Sequence, residues 1–241
     1  MSETAILMAA GMGTRMRPLT EKTPKPLIKV HGRPMIETVI DGLIKRGVDR
    51  FFVVTGYLGD QFGYLEEKYP GLELVPNGDY MTVNNISSIY AAKEVLLSAM
   101  EEDTEGGVFI CEADLYVSDD SLFEGDLNES CYFGKLVPGH SDDWVFEQDE
   151  EGFITRVGKV GEDCMNMVGL SYFKKADAVT LGRLIDETYG TDGYEDLFWD
   201  DVVDRNLDKL RLRVHEIRSG QITEIDTVEE LAAVDPAYRN E

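Results

Sequence analysis

Residues 9–27 read AAGMGTRMRPLTEKTPKPL and directly follow a short apolar run at residues 5–8, AILM. The apolar run predicts a short β-strand. Gly11 and Gly13 allow a tight, left-handed turn after it, which brings backbone N–H groups up to phosphate oxygens. This stretch therefore predicts a strand followed by an anion-binding turn.

Cationic side chains follow the turn. Arg15 and Arg17 carry planar guanidinium groups suited to phosphate, and Lys25 is a compact charge whose approach is fixed by Pro24 and Pro26. A surface loop with solvated cations is the alternative, but the combined spacing of glycines, arginines, prolines and lysine favours a nucleoside triphosphate site. A GxxxxGK[ST] phosphate loop is absent, and the GxGxxG dinucleotide fingerprint is incomplete.

The charge of the chain is unevenly distributed. The 241 residues contain 47 Asp or Glu and 23 Lys or Arg, for a net charge of −24. Residues 1–35 carry six of the cations and two of the acids, so the remaining 206 residues carry 17 cations and 45 acids. A small polyanionic substrate would be attracted to one basic site, whereas nucleic acid and anionic membranes would be repelled by the rest of the surface.

Cysteine spacing and hydropathy indicate the cellular compartment of the protein. Cys111, Cys131 and Cys164 are odd in number and widely spaced, which is typical of reduced thiols in the core. The sequence has no uncharged apolar stretch of membrane-spanning length, and the N-terminal apolar run is too short for a secretory signal. We expect a cytoplasmic protein without a membrane partner.

Strand and helix patterns alternate in the first half of the chain, while the second half contains several consecutive strands. We place helices at residues 35–44, 60–68, 86–100, 176–187, 197–207 and 228–234. We place strands at residues 51–55, 72–75, 107–112, 131–137, 144–148, 153–157 and 167–173, with a turn at 149–152. This order predicts one α/β domain over residues 1–241, with a mostly parallel sheet and helices on both faces.

The opening stretch resembles the signature of the sugar-nucleotidyltransferase superfamily, LAAGxGTRLRPLTxxxPKPL, at nearly every position. The resemblance implies a Rossmann-like, GT-A-like fold and nucleotidyl transfer with pyrophosphate as the leaving group. It implies catalytic roles for Arg15, on the triphosphate, and for Lys25, near the reacting phosphates. Nucleotide binding is then expected from four residues of the turn, Ala10, Gly11, Gly13 and Thr14.

Acidic residues follow the strand predicted at residues 107–112. Ligands of parallel α/β sheets bind beyond the carboxyl ends of strands, so Asp114 is placed at the site, with a turn or capping role as the alternative. The resemblance implies that Asp114 is a metal ligand and that Asp226, in the segment EIDT, is its partner. Two carboxylates with phosphate oxygens suit Mg²⁺. Glu112 departs from the Asp-Ala-Asp of related cytidylyltransferases, and its role is left open.

Base recognition is assigned to residues 83–88, VNNISS. Uridylyl and thymidylyl members of the superfamily carry a glycine-rich base loop here, and its absence argues against a sugar-nucleotide enzyme. Asn85 and Ser88 are placed to contact cytosine or ribose, with helix capping as the alternative role. Tyr57 is a further candidate for the nucleotide pocket.

Both tryptophans of the chain stand beside acids, Trp144 in SDDW and Trp199 in EDLFWDD. Aromatic faces with nearby carboxylates, here Asp196 and Asp200, can hold a quaternary ammonium through cation–π attraction. The alternative is that both tryptophans are core residues. These segments resemble those of bacterial phosphocholine cytidylyltransferases, which implies CTP as donor and phosphocholine as acceptor.

Lys159 lies where sugar-handling relatives have a lysine that binds the acceptor phosphate. The Glu and Pro that flank the lysine in those relatives are missing here. An exposed strand lysine is the alternative. Phosphoethanolamine and 2-aminoethylphosphonate remain possible acceptors, because acids near the tryptophans could bind a primary ammonium. A sugar-1-phosphate nucleotidyltransferase and a nucleotide-binding regulatory protein are further alternatives, and the oligomeric state is left open.

The expected reaction is a direct displacement on the α-phosphorus of CTP, with Mg²⁺, Lys25 and Arg15 neutralising the phosphates. A phosphomonoester is already ionised at neutral pH, so no general base is expected.

Overall fold

A seven-stranded mixed sheet forms the centre of the computed structural model, which describes residues 3–100 and 106–239. The strands of this sheet and of two small sheets are β1 (Glu3–Ala9), β2 (Lys29–Val30), β3 (Arg33–Pro34), β4 (Val48–Thr55), β5 (Leu72–Pro76), β6 (Gly107–Glu112), β7 (Leu115–Val117), β8 (Cys131–Gln148), β9 (Ile154–Lys174), β10 (Arg213–Glu216) and β11 (Ile222–Glu224). The central order is β10-β8-β9-β6-β1-β4-β5. Strands β4, β5, β6 and β1 run parallel to one another, and β9 is antiparallel to both β6 and β8.

Helices cover both faces of the sheet, as predicted. They are α1 (Met35–Arg46), α2 (Tyr64–Lys68), α3 (Ile86–Ala91), α4 (Lys93–Leu97), α5 (Lys175–Thr188), α6 (Trp199–Asp204) and α7 (Val228–Val234). Side chains of a strand alternate between its faces. In β1, Leu7 packs in the cluster that contains Ile40 of α1, whereas Ile6 packs in the opposite cluster with Leu181 of α5. The fold class is therefore the expected mixed, mostly parallel α/β sheet.

Several predicted boundaries hold because local signals determine them. Helix α1 ends at Gly47, whose φ of 109° lies in the left-handed region that glycine favours. Helix α7 has the predicted bounds and begins with a capping box, in which the Thr227 hydroxyl accepts from the Glu230 backbone N–H at 3.1 Å.

Other elements differ from the prediction. The single helix predicted at residues 86–100 is broken at Ala92 into α3 and α4. The helix predicted at 197–207 shortens to α6, because Asp201 caps it by accepting the Phe198 backbone N–H at 2.8 Å. The four short strands predicted between 131 and 173 are two long ones, β8 and β9, joined by the predicted turn. Backbone pairing continues through polar residues such as His140 and Glu162, where no apolar alternation indicates a strand.

The sheet brings the two sequence motifs to one edge. Met8 of β1 is paired with Glu112 of the neighbouring parallel strand β6, so the glycine-rich turn and Asp114 both follow carboxyl ends of adjacent strands. The antiparallel pairing of β7 and β11 then places Glu224 opposite Leu115. Segments separated by about a hundred residues of chain thus meet beyond the strand ends, where α/β sheets bind ligands.

Within the described ranges, the structure contains no helix both long and apolar enough to span a membrane.

Candidate active site

A cavity of about 470 Å³ opens beyond the carboxyl ends of β1 and β6. It brings together predicted residues from every part of the chain, namely Ala10, Gly11, Arg15, Asn85, Ser88, Asp114, Trp144, Lys159 and Asp226. An adjoining cavity of about 260 Å³ shares part of this wall and adds Gly13, Thr14 and Lys25. Residues predicted to bind nucleotide, metal and acceptor therefore line one continuous region.

The glycine-rich turn is shaped by close contacts. Gly13 has a φ of 58°, and a Cβ atom there would lie 2.9 Å from Cβ of Lys25 and 3.0 Å from Cγ2 of Thr20. The Thr20 hydroxyl donates to the Gly13 carbonyl at 2.8 Å. Only glycine fits this conformation and this space. The turn is consequently held against the lysine that it precedes in sequence.

Lys25 is buried, with 7% of its surface exposed, and is bound by two carboxylates. Its Nζ donates to Asp114 Oδ2 at 2.6 Å and to Asp226 Oδ1 at 2.5 Å. Burial alone would lower the pKa of Lys25, but the charges and hydrogen bonds of Asp114 and Asp226 outweigh burial and raise it. Lys25 is therefore held in the charged form.

Asp226 binds a second cation, because Nη2 of Arg15 lies 2.8 Å from the same Oδ1 atom. Burial would raise the pKa of Asp226, but the hydrogen bond from Lys25 and the charges of Lys25 and Arg15 hold it below its usual range. The Arg15 side chain is 68% exposed, so its guanidinium remains accessible to a ligand in the cavity.

Three acids, Glu112, Asp114 and Glu224, form a cluster in which one oxygen from each lies within 4.8 Å of the others. Asp114 Oδ1 is buried and has no hydrogen-bond partner among the described residues. Burial, then the negative charge of Asp114, raises the pKa of Glu112. Desolvation at the cavity rim and the charges of Asp114 and Asp226 raise the pKa of the otherwise exposed Glu224 to about 8. Crowded carboxylates with an unpartnered oxygen are suited to a divalent cation that prefers oxygen ligands.

This cluster adds Glu224 to the residues predicted from sequence, and gives Glu112 a place beside Asp114. The signal was present in the chain, since Glu112 and Glu224 each stand two residues before a predicted metal ligand. Alternation along a strand end puts such a pair on one side of the backbone.

The start of α3 contributes Asn85 and Ser88, two residues predicted to bind the nucleotide, to the cavity wall. Asn85 accepts the backbone N–H of Trp199 at 3.0 Å, and Ser88 accepts from Nδ2 of Asn77 at 3.3 Å. Tyr57 lines neither cavity, and its backbone N–H donates to the Ala10 carbonyl at 3.1 Å. Its contribution in this structure is to support the glycine-rich turn.

An aromatic wall made by Trp144 and Phe198 forms one end of the cavity, close to Asn85, which accepts the Trp199 backbone N–H. Their ring centroids are 5.3 Å apart at an interplanar angle of 70°. Nζ of Lys159 lies 5.5 Å from the Trp144 ring and 5.0 Å from the Phe198 ring. Asp142 and Asp143 line the same end. Phe198 was missed at the sequence level, although it is part of the DLFWDD segment.

Three predicted acceptor residues require correction. Trp199 is only 3% exposed and stacks on Tyr132 at 5.6 Å, so it belongs to the core. Asp200 is 1% exposed, accepts from the Tyr132 hydroxyl at 3.0 Å, and has its pKa raised to about 7 by burial. Asp196 lines neither cavity, and its backbone carbonyl accepts from Asn84. Because α6 begins at Trp199, its first turn directs Trp199 and Asp200 inward and leaves Phe198 at the cavity.

The two tryptophans are expected to differ in their effect on stability. Trp199→Ala should lower the free energy of unfolding by about 3–5 kcal/mol, because it leaves a cavity beside Tyr132. Trp144→Ala, at the half-buried cavity wall, should lower it by less than about 1 kcal/mol. Urea unfolding of both variants checks this, and equal losses would contradict the placement of Trp199 in the core.

Comparison with known proteins identifies the family. Residues 5–128 match the family described as the MobA-like NTP transferase domain. The chain is 53% identical to 2-aminoethylphosphonate cytidylyltransferase of Lancefieldella rimae, over 97% of this chain and 92% of that protein. It is 32% identical to choline-phosphate cytidylyltransferase of Streptococcus pneumoniae, over 98% and 99% of the two chains.

The fold agrees with these similarities. The solved structure of CTP:phosphocholine cytidylyltransferase from Streptococcus pneumoniae superposes with a TM-score of 0.87 at 32% identity, covering 99% of this chain and 100% of the other. Together with the glycine-rich stretch and the cavity at the strand ends, these similarities show that the chain belongs to the MobA-like NTP transferase family and is a cytidylyltransferase.

Proposed function

We propose that this cytidylyltransferase transfers the cytidylyl group of CTP to 2-aminoethylphosphonate and releases pyrophosphate. The observation that carries the proposal is the 53% identity, over 97% of this chain, to a 2-aminoethylphosphonate cytidylyltransferase. The acceptor differs from phosphocholine, to which the sequence motifs alone pointed. The residues at the proposed acceptor end of the cavity support 2-aminoethylphosphonate over phosphocholine.

A primary ammonium differs from a trimethylammonium because it has three N–H donors that need acceptors. Asp142 and Asp143 supply carboxylates at the cavity wall. With Trp199 in the core, the pair of tryptophans expected to cage a quaternary ammonium does not form, and Trp144 is left with Phe198. A wall of two aromatic rings beside two acids suits the smaller, hydrogen-bonding ammonium.

Phosphocholine is the second candidate acceptor. The Trp144 and Phe198 rings offer faces for cation–π attraction, and the pneumococcal relative that acts on phosphocholine is similar over the whole chain. Both acceptors carry an anionic phosphorus group with three terminal oxygens. They differ at the ammonium and in the link to phosphorus, which is a C–P bond in 2-aminoethylphosphonate and an ester oxygen in phosphocholine.

In the proposed reaction, an oxygen of the acceptor phosphonate attacks the α-phosphorus of CTP in line with the leaving group. The new P–O bond forms as the bond between the α-phosphorus and the bridging oxygen of the β-phosphate breaks, and pyrophosphate leaves. The attacking oxygen is already anionic at neutral pH, so the chain needs no general base. Its residues act by positioning the reactants and neutralising charge.

Lys25 and Arg15 are proposed to neutralise the phosphates. An ammonium has three N–H donors, and two of those on Lys25 go to Asp114 and Asp226, which leaves the third for a phosphate oxygen. Arg15 uses its guanidinium on Asp226 and keeps further donors at the exposed face. Lys159, near the aromatic wall, is proposed to hold the acceptor phosphonate.

We also propose that Asp114 holds Mg²⁺ together with Glu112 and Glu224. Asp226, the second ligand expected from the sequence, stays a prediction, and its Oδ1 atom binds Lys25 and Arg15 in this structure. The unpartnered Asp114 oxygen and the raised pKa values of both glutamates support a cation at this point. When bound, Mg²⁺ would supply positive charge to the triphosphate and orient it.

Pyrophosphate release tests the proposal. The purified protein is assayed with CTP, UTP and dTTP against 2-aminoethylphosphonate, phosphoethanolamine, phosphocholine and glucose-1-phosphate. We expect CTP with 2-aminoethylphosphonate to give the highest kcat/KM, about tenfold or more above phosphocholine, since a trimethylammonium offers no N–H donors to Asp142 and Asp143. Equal rates with these two acceptors, or a preference for phosphocholine, would reject the first acceptor in favour of the second.

A further inference from the structure

Asn84 lies outside both cavities but is bonded to the segment that carries Phe198. Its backbone N–H donates to the Glu195 carbonyl at 2.8 Å, and its side-chain Nδ2 donates to the Asp196 carbonyl at 3.2 Å. Asn85 adds a third bond, from the backbone N–H of Trp199 to Oδ1 at 3.0 Å. These three hydrogen bonds hold residues 195–199 against the start of α3.

Phe198 is therefore restrained on both sides. On its C-terminal side, the Trp199 ring stacks on Tyr132 in the core, and on its N-terminal side Asp196 is held by Asn84. The Phe198 backbone N–H is itself bound to Asp201. The hydrogen bond from Asn84 to Asp196 is thus one of the contacts that flank Phe198, whose ring lies against Trp144.

The oxygen and the nitrogen of the Asn84 amide bind different segments of the chain. Oδ1 accepts the backbone N–H of Asn85 at 2.7 Å, on the nucleotide side, while Nδ2 binds Asp196, on the acceptor side. A backbone N–H can only donate and a carbonyl can only accept, so these partners determine the orientation of the amide.

We infer that Asn84 is a positioning residue for the acceptor and acts through Phe198, by holding Phe198 against Trp144 at the acceptor end of the cavity. The inference rests on the proposed function in assigning that end to the acceptor. It does not depend on which aminoalkyl acceptor is used.

Asn84→Asp removes one hydrogen bond of the amide and keeps the other. The carboxylate still accepts the Asn85 N–H, but it loses the donor to Asp196 and repels that carbonyl. We expect the KM for the acceptor to rise about threefold to tenfold, with kcat and the KM for CTP within about twofold of wild type. A general structural role would change all three constants together.

Asn206→Asp is the matched control. Asn206 donates to the Val202 carbonyl of α6 at 2.9 Å and lines neither cavity, so this variant removes the same kind of bond and adds the same charge. We expect its acceptor KM to be unchanged. Thermal unfolding of both variants confirms that each is folded.

A double-mutant cycle with Phe198→Ala tests the route of action. If Asn84 acts through Phe198, Asn84→Asp has no further effect on the acceptor KM once the ring is removed. Acrylamide quenching of tryptophan fluorescence gives a readout independent of turnover. We expect quenching to increase in Asn84→Asp, because Trp144 loses its cover, and not in Asn206→Asp.

The outcomes separate the two proposals. The wild-type acceptor panel alone decides the substrate, whereas the ratio of Asn84→Asp to wild type decides the positioning role. An Asn84→Asp effect that persists at full size in the Phe198→Ala background, or that falls equally on CTP, would overturn the inference. So would unchanged kinetics and quenching in Asn84→Asp.

Discussion

Lys25→Met is expected to lower kcat for pyrophosphate release about a thousandfold, the scale of loss when a charge-stabilising donor is removed from an active site. Methionine keeps the length of the side chain and removes its charge. Asp114 and Asp226 would lose their shared cation, and the acids around them would repel the triphosphate. The KM for CTP should also rise, because the variant lacks the third N–H of Lys25 that is proposed to bind a phosphate.

Nearby lysines supply the controls for this prediction. Lys22 and Lys29 are exposed and belong to the same basic segment, so Lys22→Met and Lys29→Met change the net charge equally. We expect each to retain activity within about threefold, since exposed charges contribute little at a distance. Circular dichroism checks that Lys25→Met is folded. A folded Lys25→Met variant with near-normal turnover would exclude a catalytic role for Lys25.

Asp114→Ala is expected to cause the second large loss, again about a thousandfold in kcat, because it removes the central carboxylate of the acidic cluster. Lys25 keeps its ion pair with Asp226, so the variant should fold. Rates measured over a Mg²⁺ titration should show activation of the wild type that saturates. In the variant, we expect activation to need about tenfold more Mg²⁺ or to be absent.

Metal removal gives a complementary result. Chelation with EDTA should abolish wild-type activity, and added Mg²⁺ should restore it. Asp126→Ala is the control variant, since Asp126 is exposed and lines neither cavity. Full activity of the wild type in EDTA would contradict a metal requirement, and normal Mg²⁺ activation of Asp114→Ala would remove Asp114 from the site.

The glycine-rich turn and the buried lysine beside it could be predicted from the sequence because their contacts are local. Gly13, Thr20 and Lys25 lie in one short stretch, and the close approach that requires glycine occurs between residues of that same stretch. Strand and helix periodicity correctly indicated the sheet with helices on both faces. It failed in β8 and β9, where backbone pairing alone extends the strands through polar residues.

The acidic cluster could be predicted only in part from the sequence. Asp114 and Asp226 stand in recognisable segments, but the cluster of Glu112, Asp114 and Glu224 forms only because β7 and β11 pair. The pairing brings Glu224 close to Glu112 and Asp114, so the charge repulsion among these acids arises only in the folded structure. The two-residue spacing before Asp226 was the one local indication for Glu224, and it does not show that Glu224 lies near Glu112.

By itself, the sequence determined the glycine-rich turn, the cations that follow it and the α/β class of this protein, because glycine conformation, charge and periodicity act over a few residues. The tertiary structure alone decided which aromatic side chains line the cavity. Trp144 and Trp199 have similar acidic neighbours, yet the start of α6 buries Trp199 on Tyr132 and leaves Phe198 at the cavity. That outcome depends on a helix boundary and on hydrogen bonds from Asn84 and Asn85, which join segments more than a hundred residues apart.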